Sequence, residues 1–144
     1  GNNLTFSVVL HPNLPLEEIQ IFALLAGVTV ARVLENYVKK IRLKWPNDVL
    51  VNEKKICGIL LETITIPDHF FPVLIMGIGL NTKGCPRDYP EELQNIVTTI
   101  EYEMSPISDI SSETETAPAL KNESIFQQLL LELDNCLGKF SLVS

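Results

Sequence analysis

A chain of 144 residues with 46% hydrophobic side chains can bury one core and is too short to expect two. Its 11 basic and 18 acidic side chains leave a formal charge of -7, which excludes a broad phosphate-tracking surface for DNA or RNA but not a small anion held by a few lysines. The longest apolar runs, "IFALLAGVTVA" and "FPVLIMGIGL", are about half the roughly 20 residues a bilayer requires, so no membrane span is expected.

Three cysteines, Cys57, Cys85 and Cys136, are odd in number and form no C-x-x-C pair, which fits a reducing, cytoplasmic setting without a zinc or redox site. The chain opens at Gly1 without an initiator Met, and the expectation is a piece of a longer polypeptide.

After "GNN", the β-formers of "LTFSVVL" predict a strand that "HPNLP" ends. Pro15 suits a first helical turn, and Glu17 and Glu18 suit the positive end of the helix dipole. Apolar residues at three- and four-residue spacing (Ile19, Phe22, Ala23, Ala26, Val30, Val33, Leu34, Tyr37) predict one long buried helix from Leu16 to about Val38, closed by Lys39 and Lys40. "IRLKW" reads as a strand that must stop before Pro46. "VLV" and "KICGILLETITI" flank the polar turn "NEK" and predict an antiparallel hairpin. The continuous run "VLIMGIGL", 73–80, predicts a central strand buried on both faces. A short helical piece is expected near "EELQNIVTTI", then a flexible surface loop over 103–121, rich in Ser, Thr, Glu and Pro. Asn122 is the expected N-cap of a last helix that buries Ile125, Leu129, Leu133 and Leu137, with Phe126, Leu130 and Phe140 on the same side.

Polar chemistry concentrates in "KWPNDVLVNEKKICG". Lys44 and Lys55 are placed to converge at the mouth of a sheet, where anionic groups bind. Asn47 and Asp48 lie in the intervening turn, where Asx side chains commonly satisfy nearby backbone groups. Trp45, the single tryptophan, is by itself most often a core residue. "MGIGLNTKG" lacks the third glycine of a dinucleotide loop. Gly77 and Gly79 therefore have two readings: relief of crowding in the strand, or a floor on which a flat ligand lies. His11 and His69 match no ligand spacing, and Cys57 reads as a packing thiol.

Taken together, "KWPND", "KKICGILLE" and "GIGLN" in this order and spacing resemble the catalytic domain of biotin protein ligase, from about Gly1 to Asn81. The resemblance implies an α/β (α+β) fold with a mixed central sheet flanked by helices, similar to class II aminoacyl-tRNA synthetases and lipoate ligases. It implies ATP-dependent formation of biotinyl-AMP and transfer of biotin to a lysine of a carboxylase carrier domain. Lys55 would contact the biotin carboxylate and the phosphate, offsetting charge that develops during adenylation. Gly58 and Ile59 would present backbone to biotin. Asn3, Lys44, Trp45, Asn47, Gly79 and Asn81 would lie near the nucleotide. Asp48 has two readings: it orients or deprotonates the incoming lysine, or it is a structural Asx residue.

Mg²⁺ would accompany ATP, although no ligand set for it is legible, and a homodimer is left open. Family members carry a Gly/Arg-rich loop and a Ser/Thr segment upstream of the "GNNL"-like turn, with no counterpart in these residues. The 144 residues are therefore expected to be the central part of the catalytic domain, incomplete as a catalyst alone. Two other readings are a lipoate ligase and a non-catalytic binding module on the same fold.

Overall fold

In the computed structural model, residues 3–105 and 119–138 are described. Five strands, β1 (Leu4–Leu10), β2 (Ile41–Lys44), β3 (Asp48–Val51), β4 (Lys54–Ile64) and β5 (Val73–Leu80), form one sheet in the order β1-β5-β4-β3-β2. The four ladders are antiparallel, and the parallel direction appears in an isolated bridge between Lys55 and Val97. Strands β2 to β5 follow one another as a meander, because each connection after β2 is short enough for adjacent pairing.

One face of the sheet carries the helices α1 (Ile21–Leu34) and α3 (Asn122–Leu137), which pack on each other. Phe22, Ala26, Val30 and Leu34 from α1 join Ile125 and Leu129 from α3 and Leu74, Met76, Ile78 and Leu80 from β5 in a continuous core. Phe6 of β1 meets Phe126 edge-on, with ring centroids 5.0 Å apart, and ties the outer strand to α3. No helix among the described residues is long and apolar enough to cross a membrane.

Several elements differ from the sequence expectation. The helix anticipated over 16–38 is divided into a 3₁₀ turn at Leu16–Glu18 and α1 proper. Its end tightens at Leu34, where Asn36 and Tyr37 donate to carbonyls three residues back, and Lys40 takes a left-handed φ of 55° before β2. Lys39 and Lys40 thus belong to a turn rather than to the last helical turn.

Strand β5 is interior but not buried on both faces. Leu74, Met76, Ile78 and Leu80 are buried, whereas Ile75, Gly77 and Gly79 are only partly covered on the opposite side. The run reads as continuously apolar because two of its outward positions are glycine.

The helical piece near 91–100 is a 3₁₀ turn, Glu91–Leu93, followed by the short α2 (Ile100–Met104). Thr99 caps α2, its Oγ1 accepting from Tyr102 N at 3.1 Å and donating to the Gly84 carbonyl at 2.6 Å. Glu103 and Met104, assigned to the flexible loop from sequence, therefore lie in α2, and most of the remainder of that loop is outside the described residues, as is Phe140. Asn122 is the first residue of α3 and not its cap, which is Lys121; the Asn122 Oδ1 is buried without a hydrogen bond among the described residues.

Candidate functional site

The ladders bring one residue from each strand into a row across the sheet: Thr5 pairs with Gly79, Gly79 with Gly58, Gly58 with Asp48, and Asp48 with Lys44. Directly paired residues share a face, so this row lines up on the side away from α1. The two adjacent glycines make a flat strip of bare backbone between Thr5 and Asp48.

Lys55 would miss this strip if β4 were regular, since residues 55 and 58 have opposite parity. A bulge intervenes: Val49 pairs with Cys57 but Leu50 with Lys55, so Ile56 is the extra residue. The bulged backbone finds its partners elsewhere. Lys55 N donates to Ile96 O at 2.8 Å, Thr98 N to Lys55 O at 2.9 Å, and Asn81 N to Ile56 O at 2.9 Å.

With its parity reset, Lys55 places Nζ 2.8 Å from Asp48 Oδ1 and over Gly58, where an added Cβ would stand 3.1 Å from Lys55 Cε and 3.2 Å from its Nζ. At Gly79 an added Cβ would come no closer than 4.0 Å to Gly58 O, so the protein leaves that space open.

Two hollows share the Lys55–Asp48 pair. One, of 460 Å³, has the glycine strip as its floor and is bounded by Thr5, Ser7, Asn47, Leu60 and Gly77. The other, of 570 Å³, has an apolar side formed by Leu50, Leu93, Ile96 and Val97 and a polar side formed by Lys44, Glu53, Asn81 and Tyr89. Hydrogen bonding from Arg42 holds the Glu53 carboxyl below its ordinary range. At the end of the second hollow, Asn3 Nδ2 donates to Asn81 Oδ1 at 3.3 Å and to the Tyr89 hydroxyl at 3.2 Å.

The structure thus gathers Lys55, Asp48, Gly58, Asn47 and Gly79 around the first hollow, and Lys44 and Asn81 with the same ion pair around the second. Gly79, expected with the nucleotide set, lies beside Gly58. Ile59 contributes backbone only: its side chain is buried in the core toward α1, and its N–H is bonded to Asn47 O at 2.9 Å.

Trp45 departs from the core placement a lone tryptophan usually takes. It is 67% exposed and stands on the α1 side, where it lines a separate 170 Å³ hollow with Ala23, Leu24 and Leu43. Burial pushes the Cys57 thiol up to about 12, in keeping with a packing residue. No group of three or more His, Cys, Asp or Glu among the described residues could hold a metal ion.

Sequence reasoning did not pick out Tyr89, Thr5, or the 96–98 segment that holds the bulge. Tyr89 sits beyond "GIGLN" in a stretch with only turn signals. The 96–98 segment acts through backbone atoms, which leave no residue-type signature.

Residues 1–81 match the Biotin/lipoate A/B protein ligase family. The chain is 40% identical over 101 residues to the Bacillus subtilis protein named bifunctional ligase/repressor BirA, covering 69% of this chain and 31% of that one. It is 45% identical over 47 residues to the biotin–[acetyl-CoA-carboxylase] ligase of Paracoccus denitrificans, covering 33% and 19%. Among solved structures, the biotin protein ligase of Aquifex aeolicus in complex with biotin and ATP superposes with a TM-score of 0.72 at 31% identity, over 96% of this chain and 51% of that one. The chain therefore spans about a third of the curated relative's length and about half of the solved structure's.

Proposed function

Because the chain belongs to the biotin/lipoate A/B protein ligase family, we propose that it is the central part of the catalytic domain of an ATP-dependent biotin protein ligase. The observation that carries this reading is the Lys55–Asp48 pair, set between a flat glycine-floored hollow and a second hollow with an apolar side and an asparagine end. Biotin lies on the Gly58–Gly79 strip, where the Ile59 backbone also contributes, and the nucleotide occupies the hollow of Lys44, Asn81 and Asn3. Asn47 lines the first hollow and Trp45 a separate one on the α1 side, so both stand apart from the hollow of Lys44 and Asn81. The Aquifex relative, solved with biotin and ATP, supports the choice of ligands.

In the first step a carboxylate oxygen of biotin attacks the α-phosphorus of ATP and pyrophosphate leaves. Lys55 meets both the carboxylate and the phosphate oxygens, so its charge offsets the negative charge gathering there. In the second step the ε-amine of a carrier-domain lysine attacks the acyl carbon, AMP leaves with the bonding pair, and Asp48 accepts the amine proton. Mg²⁺ would accompany the phosphates of ATP. The acceptor is a carboxylase carrier domain, consistent with the name of the Paracoccus relative, and three cysteines without a C-x-x-C pair suit a cytoplasmic setting.

The test is to incubate the full polypeptide containing these residues with ATP, a biotin carboxyl carrier domain and either biotin or lipoate, and to weigh the carrier. A mass gain with biotin and not with lipoate is the expected result. Lipoylation in place of biotinylation would overturn the substrate assignment, and no modification with either would overturn the ligase reading.

A further inference from the structure

Lys55 is presented by a bulge, and a bulge carries fewer ladder bonds than a regular strand, so something must hold it. The backbone of Lys55 is bonded on both sides by the 96–98 segment, through Ile96 O and Thr98 N. That segment is in turn held by one carboxylate. Glu103, on α2, accepts from Thr98 Oγ1 at 2.5 Å through Oε1 and from Asn52 Nδ2 at 2.6 Å through Oε2.

Asn52 is the first residue of the two-residue turn between β3 and β4, with φ 48°, followed by Glu53 at φ 64°. The two oxygens of Glu103 therefore join the hairpin that carries the bulge to the segment that bonds it. Thr98 is fully buried, so its hydroxyl has no exposure to water in this arrangement.

We propose that Glu103 is a positioning residue that fixes Lys55 over the glycine strip by clamping Thr98 to the hairpin turn, a proposal that rests on the reading of Lys55 as the group meeting carboxylate and phosphate. Glu103 touches no substrate. Its effect reaches the reaction through the Lys55 backbone, and it bears on the reacting geometry more than on ligand binding.

The polarity of the clamp gives a direct test. In Glu103→Leu both acceptors are lost, whereas Glu103→Gln keeps both bonds by turning its own amide or that of Asn52. In the full polypeptide, Glu103→Leu is expected to speed hydrogen exchange of the Lys55 and Thr98 amides about tenfold, with the β1–β5 ladder unaffected. It is expected to lower kcat for adenylate formation about tenfold while KM for biotin moves less than about twofold.

The conservative Glu103→Gln leaves both readouts near the parent values. Asn52→Gly, which a left-handed position tolerates, gives a smaller change in the same direction as Glu103→Leu. Unchanged exchange at Lys55 in Glu103→Leu, or a Glu103→Gln variant no better than Glu103→Leu, overturns the proposal. Lys55→Ala separates the two ideas: if it forms adenylate at the parent rate, the role of Lys55 itself fails and the proposal with it. If Lys55→Ala is inactive while Glu103→Leu is unaltered, only the role of Glu103 fails.

Discussion

The ammonium of Lys55 lies 2.8 Å from Asp48 Oδ1, and both groups sit beside Gly58, the direct cross-strand partner of Asp48. The pair is about half exposed on the lysine side and less so on the aspartate side, so its value is geometric more than energetic. It keeps a cation aimed at one end of the glycine strip and leaves an acceptor next to it.

Asp48→Asn separates these two duties. The amide oxygen still accepts from Lys55, so adenylate formation should stay within about tenfold of the parent, while transfer to the carrier lysine should fall about 100-fold or more, the scale of a lost general base. Single-turnover transfer from preformed biotinyl-AMP measures it. Equal losses in the two steps would show that Asp48 does no more than orient Lys55.

Gly79→Ala and Gly58→Ala should behave differently although the glycines are cross-strand neighbours. At Gly79 the new methyl meets nothing nearer than 4.0 Å, so thermal stability should hold while KM for biotin rises about tenfold or more, because the methyl occupies the ligand's floor. At Gly58 the methyl crowds the end of Lys55, so kcat should fall as well. Unaltered biotin binding in Gly79→Ala would remove the ligand from the strip.

Much of this was legible before the fold was known. The strands, the hairpin turn and the core positions of α1 and α3 follow from hydrophobic period and turn chemistry, because those signals are local. The row Thr5–Gly79–Gly58–Asp48–Lys44 was not, since register between β1, β5 and β4 joins residues far apart in sequence. Nor was the face of Lys55: strict alternation sends it into the core with Cys57, and only the extra residue Ile56 turns it outward. Trp45 misled for the opposite reason, its size suggesting burial where a turn leaves it exposed.

Thr29 on α1 is fully buried, with a hydroxyl that has no hydrogen-bond partner among the described residues. Thr29→Val replaces that group by a methyl of similar shape and should raise the unfolding free energy by about 1 kcal/mol. Denaturant unfolding checks it; a loss of stability would mean that the hydroxyl is satisfied.

Cys57 should resist alkylation in the folded protein. Its thiol is held near 12 against an ordinary 9.0, chiefly by burial, so it stays neutral at pH 8 to 9 while Cys85 and Cys136 are less enclosed. Because the folded value is the higher one, the contribution to stability is complete below about pH 9 and is lost as pH rises toward 12. Iodoacetamide labelling followed by peptide mapping should find Cys57 last. Labelling of Cys57 as fast as Cys85 would contradict its burial.

The most direct test of the central claim is the rate of biotinyl-AMP formation from biotin and ATP by the full polypeptide carrying Lys55→Ala. Removing the cation that faces both the carboxylate and the phosphate should slow adenylation about 100-fold or more, the scale of a lost electrostatic contact in a transition state. Adenylate formed by Lys55→Ala at the parent rate would contradict the account.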